Sequence, residues 1–219
     1  MSRFSVGKYF KQLKCDCGKC DGFGNGRLNY NFTVRVFNKK KNRYEDQTAT
    51  ANERPGIHRG AIWILRAAMF YSSTIETGLH YSFRGINSGY RCVDNNLKHQ
   101  RPTINHMGMA LDLGFSKNGV AMTKYTKDVD KEMDSIRAKI FVPHIGATVG
   151  AGRHDNKIWL ESSSDGALSW VHFDVRSWKK EYLTDDFFVQ SVDDADGGSI
   201  VEFAKLKSQS QLVGCPGNC

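Results

Sequence analysis

The chain has 219 residues, 40% of them hydrophobic and 25% charged, which allows one sizeable core and excludes a wholly disordered chain. No run approaches the roughly 20 apolar residues of a membrane-spanning helix, and the opening Met1–Lys8 lacks the apolar stretch of a classical signal peptide. A net charge of +8 suits polyanionic surroundings: nucleic acid, an anionic membrane or bacterial cell wall.

Residues 1–30 are rich in Cys and Gly and end in Gly22-Phe23-Gly24-Asn25-Gly26, which predicts irregular structure. Phe32–Phe37 alternates and is β-branched, so a strand is expected. The polar stretch 38–55 reads as an exposed loop, and its basic run Lys39-Lys40-Lys41-Asn42-Arg43 as a solvated turn. From Ile57 to Tyr71, Ile57, Ala61, Ile64, Leu65, Ala68 and Met69 recur at helical spacing. Leu79, Tyr81 and Phe83 alternate with polar residues, giving a strand that leads into Ser88-Gly89-Tyr90-Arg91.

Residues 94–105 read as a loop, 109–115 as a buried strand and 124–140 as a charged amphipathic helix. Strands are also expected at 158–161 and 170–175. From Glu181 the chain is acidic, then Ser/Gln-rich, and reads as a wrapping tail. We therefore expect a single α+β domain: a segment 1–30, a core 31–180 and a tail 181–219. Trp63, Trp159, Trp170 and Trp178 suit core or cleft-wall positions, and the spacing of His58, His80, His99, His144 and His154 demands no role.

Cys15, Cys17, Cys20, Cys92, Cys215 and Cys219 make an even count that permits three disulfides and hence an oxidising site of action. Alternatively, Cys15-x-Cys17-x2-Cys20 with one distant cysteine could hold a structural zinc. The second half of a zinc ribbon is missing, so disulfides are the expectation.

Two segments carry residues of metal-ligand type, Asn105-His106-Met107-Gly108-Met109-Ala110-Leu111-Asp112 and Trp170-Val171-His172-Phe173-Asp174. A third, Ser88-Gly89-Tyr90-Arg91, adds a fixed cation. Two imidazoles and a carboxylate around zinc leave a fourth position for water. Arg91 could clamp a substrate carboxylate or stabilise an oxyanion. Read singly, His172 is better taken as an ordinary half-buried histidine and Arg91 is equally a surface arginine or a salt-bridge partner, whereas Asp112 in an apolar strand needs a partner.

In this order the three segments resemble the zinc D-Ala-D-Ala peptidases of the M15 group, with Ser-Gly-Tyr-Arg, then His-x-x-Gly-x-Ala-x-Asp, then a late His in a strand. Phe10–Cys20 is similar to a segment that precedes the domain in some members, so the likeness spans roughly residues 10–180. It implies a Hedgehog/DD-peptidase-like fold, a small antiparallel sheet flanked by helices, with Zn2+ bound by His106, Asp112 and His172 and Arg91 over the substrate. One departure stands out. The spacing from His106 to Asp112 is one residue short of the family's, so the usual ligand position falls on Asn105. Asparagine is a poor zinc ligand beside histidine, so His106 is assigned.

Residues 167–170 offer no acid before the late histidine. Asp174 lies two residues beyond His172 on the same strand face, as general base or as a partner that orients the ring. Glu161 is held in reserve. The expected function is a zinc peptidase, D,D-carboxypeptidase or endopeptidase, cleaving peptidoglycan stem peptides outside the cytoplasm. Without a classical signal peptide, it would be delivered with a phage particle or secretion assembly. The alternative is a non-catalytic zinc-binding recognition module on the same fold within such an assembly. A nucleic-acid partner is not expected, because no binding motif accompanies the charge.

Overall fold

The computed structural model describes residues 5–74, 80–150 and 157–196. It is an α+β fold. The N-terminal segment is irregular apart from a 3-10 turn (Gly7–Tyr9) and one short helix, α1 (Phe10–Leu13), which buries Phe10 and Leu13. Strands β1 (Tyr30–Asn38) and β2 (Arg43–Ala51) then form a two-stranded antiparallel ribbon.

The ribbon corrects the reading of 38–55 as a loop. In β2 only Ala51 is buried, so there is no apolar alternation to signal a strand. It is held by backbone pairing with β1 and by polar cross-strand contacts such as the Thr33 and Thr48 hydroxyls, 2.9 Å apart. The Asn38 side chain accepts bonds from Lys40 N and Lys41 N and so shapes the turn.

Next come β3 (Ile57–His58) and α2 (Arg59–Thr74). The helix buries Ala61, Ile64, Leu65, Ala68 and Met69, as the periodicity indicates. It starts at Arg59 because Ile57 and His58 pair with a later strand. Strand β4 (Tyr81–Ser88) follows; Leu79 lies outside the described residues.

Helix α3 (Val93–Lys98) occupies part of the expected loop 94–105. Its N-cap is Cys92, whose sulfur accepts from Asn95 N, and cysteine is not among the usual capping residues.

Strand β5 (Ala110–Lys117) is paired at one end with β6 (Val120–Ala121). Helix α4 (Val129–Ile136) starts later than the charged pattern suggests and runs through a π-helical turn (Arg137–Phe141) into α5 (Val142–Ile145). Strands β7 (Ala147–Val149), β8 (Ile158–Leu160) and β9 (Val171–Asp174) complete the main sheet, and His154 is outside the described residues.

The main sheet has the order β4-β5-β9-β8-β7, with β6 on β5. Its pairs are antiparallel except β7–β8, which is parallel, so the expectation of a purely antiparallel sheet fails at one edge. Beyond β9 the chain returns through β10 (Phe188–Val189), paired with β3, to α6 (Val192–Asp196). Tyr182, Phe187 and Phe188 are buried there, so the described part of the tail is built into the core.

Leu111, Leu113, Phe115, Val171 and Phe173 are fully buried on one face of the sheet. Each such side chain contributes roughly 1.5–3 kcal/mol of burial free energy. That apolar face fixes the register, and register decides what stands on the other face. Asp112 is placed opposite His172 on β9 and Ser88 on β4.

Cys15, Cys17, Cys20 and Cys92 are all free thiols, which corrects the disulfide expectation for these four. They gather in one cluster, taken up below. Cys215 and Cys219 lie outside the described residues.

Candidate metal centre

Asp112, His172 and Asp174 project from the polar face of β5 and β9, and all three are buried. His106 comes from the turn before β5 and is 1% exposed. Burying four ionisable groups costs several kcal/mol per charge unless each finds a partner, so their pairing is what makes this row tolerable.

Asp112 divides its two oxygens. Oδ2 accepts from Arg91 Nη2 at 2.8 Å, and Arg91 Nε donates to Ser88 Oγ at 2.8 Å. Oδ1 faces the imidazoles, 2.6 Å from His172 Nδ1 and 3.3 Å from His106 Nε2. One atom from each of His106, Asp112 and His172 lies within 4.8 Å of the others, so the trio could hold a metal ion.

The hydrogen bonds on the far side of each ring test that fit. His106 Nδ1 is 2.9 Å from Gly89 O, and a carbonyl only accepts, so Nδ1 carries the proton. Burial, outweighing the Asp112 carboxylate, keeps His106 below the ordinary imidazole value, hence neutral, with its lone pair on Nε2. Nε2 and Asp112 Oδ1 are then two acceptors facing each other. Their 3.3 Å separation matches the about 3.3 Å expected between two ligands on a tetrahedral ion with bonds of about 2.0–2.1 Å.

His172 differs, since its Nδ1 is 2.6 Å from Asp112 Oδ1, a hydrogen-bond distance in which Nδ1–H donates to the carboxylate, and an ion would have to take the place of that proton. His172 Nε2 is 3.0 Å from Asn105 Nδ2, while Asn105 Oδ1 is buried with no partner among the described residues. Turning that amide over lets Oδ1 accept from Nε2–H, so that Nδ1 is the nitrogen that could meet an ion once it gives up the proton it shares with Asp112. Burial pulls His172 down, but the bond to Asp112 and the nearby Asp174 carboxylate carry it up to about 9. Burial likewise raises Asp112, and the two imidazoles outweigh it, holding the carboxylate well below its usual range.

The remaining acids differ sharply. Asp174 is bound by Arg176, through the backbone N at 3.1 Å and Nη2 at 2.8 Å. Its Oδ2 lies 3.9 Å from His172 Nε2, across the ring from Asp112. Burial raises Asp174, and His172 and Arg176 bring it down to about 2, so it is a fixed anion. Glu161, just beyond β8, is half-buried, and no donor among the described residues meets its carboxylate. Burial above all raises its pKa, and it interacts electrostatically with His172 and Asp112.

Two supports were not apparent in the sequence. Gly89 has no room for a side chain, since a Cβ would sit 2.4 Å from Gln12 O and 2.6 Å from Leu13 O. Arg137 is 1% exposed; it pairs with Asp134 at 2.7 Å and donates to Ala167 O and Trp170 O, fixing the entry to β9. A lone arginine in a charged helix gives no sign of such burial.

No protein-family model, curated protein or solved structure matches the chain. No helix among the described residues is long and apolar enough to cross a membrane.

Proposed function

We propose that the protein is a zinc-dependent peptidase of Hedgehog/DD-peptidase-like fold that hydrolyses peptide bonds in bacterial peptidoglycan. The observation that carries this reading is the buried cluster of His106, Asp112 and His172, with one donor atom from each within 4.8 Å of the others. The order of the segments that supply them, and their resemblance to the zinc D-Ala-D-Ala peptidases, supports it further. Two imidazoles and a carboxylate suit zinc better than magnesium or calcium, which take oxygen ligands. When bound with an open fourth position, zinc polarises a substrate carbonyl and brings the pKa of a coordinated water towards neutrality.

The chain's own residues then have separate tasks. Gly89 O, Arg91 and Asn105 orient His106, Asp112 and His172 through the atoms that face away from the ion. Arg91 is a positioning residue for Asp112 in this reading, since its guanidinium is already engaged by Asp112 and Ser88. Glu161 takes the role of general base: its raised pKa and unpaired carboxylate suit it to accept a proton and return it to the leaving amine. Asp174, held by Arg176, orients His172. The net charge of +8 suits an anionic wall.

Digestion of purified peptidoglycan by the zinc-loaded protein, with products read by mass spectrometry, tests the proposal. Cleavage should need zinc and disappear in His172→Ala. Stoichiometric zinc binding without cleavage of any crosslink or stem peptide would replace the enzyme with a zinc-binding recognition module.

A further inference from the structure

We propose that Cys15, Cys17, Cys20 and Cys92 form a second metal centre, a closed tetrathiolate zinc site that fastens the N-terminal segment to the turn carrying Tyr90 and Arg91. The four sulfurs come from two stretches more than seventy residues apart and meet within 4.8 Å of one another. Cys15 and Cys92 are 3.6 Å apart, Cys17 and Cys20 3.6 Å, and Cys17 and Cys92 3.4 Å. Four thiolates around a tetrahedral zinc with Zn–S of about 2.3 Å stand about 3.8 Å apart, close to these spacings. A disulfide needs about 2.05 Å.

Two backbone amides point at the sulfurs. Lys19 N donates to Cys17 Sγ at 3.3 Å and Asn95 N to Cys92 Sγ at 3.4 Å. Such bonds stabilise a sulfur that carries negative charge, and a thiolate is the form that binds metal. All four donors are soft sulfurs with no open position, the pattern of a structural rather than a catalytic zinc.

The setting explains what the centre is for. Residues 5–29 hold only a 3-10 turn and one short helical turn, so their own secondary structure cannot fix them. The cysteine loop is closed by Cys15 N to Gly22 O at 2.7 Å. The adjacent α1 is tied to β4 and the turn after it: Leu13 O accepts from Tyr90 N and Gln12 Oε1 from Ile86 N. Phe23 packs edge-on to Tyr90. Cys92 follows Arg91 directly, so an ion held there pins both ends of this contact. The inference does not rest on the peptidase reading.

The 219-residue chain, expressed with zinc supplementation, should retain one zinc equivalent in His172→Ala and lose it in the double variant Cys17→Ser/Cys20→Ser. Exchange of that equivalent for Co(II) should give thiolate-to-cobalt charge-transfer absorption, which nitrogen and oxygen ligands do not produce. If the double variant fails to fold, the unaltered protein still decides the matter. Cys17 and Cys20 are only half-buried, so as free thiols they would be alkylated readily. In the metal-loaded protein iodoacetamide should modify the four cysteines more than about tenfold more slowly than after treatment with a strong chelator. Equal rates before and after chelation, a disulfide among these four in the unreduced peptide map, or iron in place of zinc would overturn the proposal.

Discussion

Asp112 gives one oxygen to Arg91 at 2.8 Å and keeps the other for His106 and His172. The salt bridge thus acts as a clamp on a ligand, because rotation of the carboxylate would cost Arg91 its partner in a buried place. Arg91→Ala should weaken zinc binding about 10- to 100-fold, the usual range for a partner behind a ligand. Competition with a chromogenic chelator measures this. Unchanged affinity with reduced turnover would instead put Arg91 on the substrate.

Glu161 and Asp174 are expected to separate by readout. Glu161→Gln should retain zinc and lose about 100- to 10,000-fold in turnover, since a general base acts in the transition state. Asp174→Asn should act mainly on zinc affinity, because its carboxylate lies beside the His172 ring. Paired metal titrations and peptidoglycan assays distinguish them, and the reverse pattern would make Asp174 the base.

Gly89 links the backbone to a ligand. Its carbonyl accepts from His106 Nδ1, and an added Cβ would collide with Gln12 O and Leu13 O. Gly89→Ala should therefore displace the turn and lower zinc affinity by about 10-fold or more. An Ala variant with unaltered zinc binding would show that the N-terminal segment gives way instead.

His58 predicts an acid weakness of the fold itself. Its Nε2–H donates to Tyr182 O at 2.7 Å and its Nδ1 accepts from Gly60 N at 3.1 Å, so the ring is satisfied only when neutral. Burial, first of all, brings its pKa down to about 4 against the pull of the Tyr182 carbonyl. The unfolded chain takes up this proton below about pH 6.5 and the folded chain does not, so stability falls as pH drops from about 6.5 towards 4. The full effect is about 3 kcal/mol. Denaturant unfolding of metal-free protein at pH 7 and 4.5 should show most of that loss. It should be smaller in His58→Gln, where no imidazole is left to protonate.

Much of this was legible one element at a time. Ile64, Leu65, Ala68 and Met69 repeat at helical spacing because they face one core, and burial and local preference agree there. The same agreement marks β5 and β9, whose apolar residues are fully buried. Where a strand buries almost nothing, as in β2, or a helix is capped by a cysteine, as in α3, no local signal exists. The residue types at 88–91, 106–112 and 172–174 already pointed to a metal site.

The choice among those residues belonged to the tertiary structure. Asn105 and His106 are neighbours in the chain, and it is the Gly89 carbonyl that turns the His106 ring towards Asp112. The two-residue period rightly puts Asp174 on the face of His172, but period says nothing of Arg176, which engages the carboxylate. Cys92 lies far from Cys15 in sequence and meets it only because α1 packs against β4 and brings the cysteine loop to the end of that strand. Sequence by itself determines local pattern and chemical type, since these depend on near neighbours. Which groups share a buried point depends on strand register and packing across long loops, and that the folded chain alone decides.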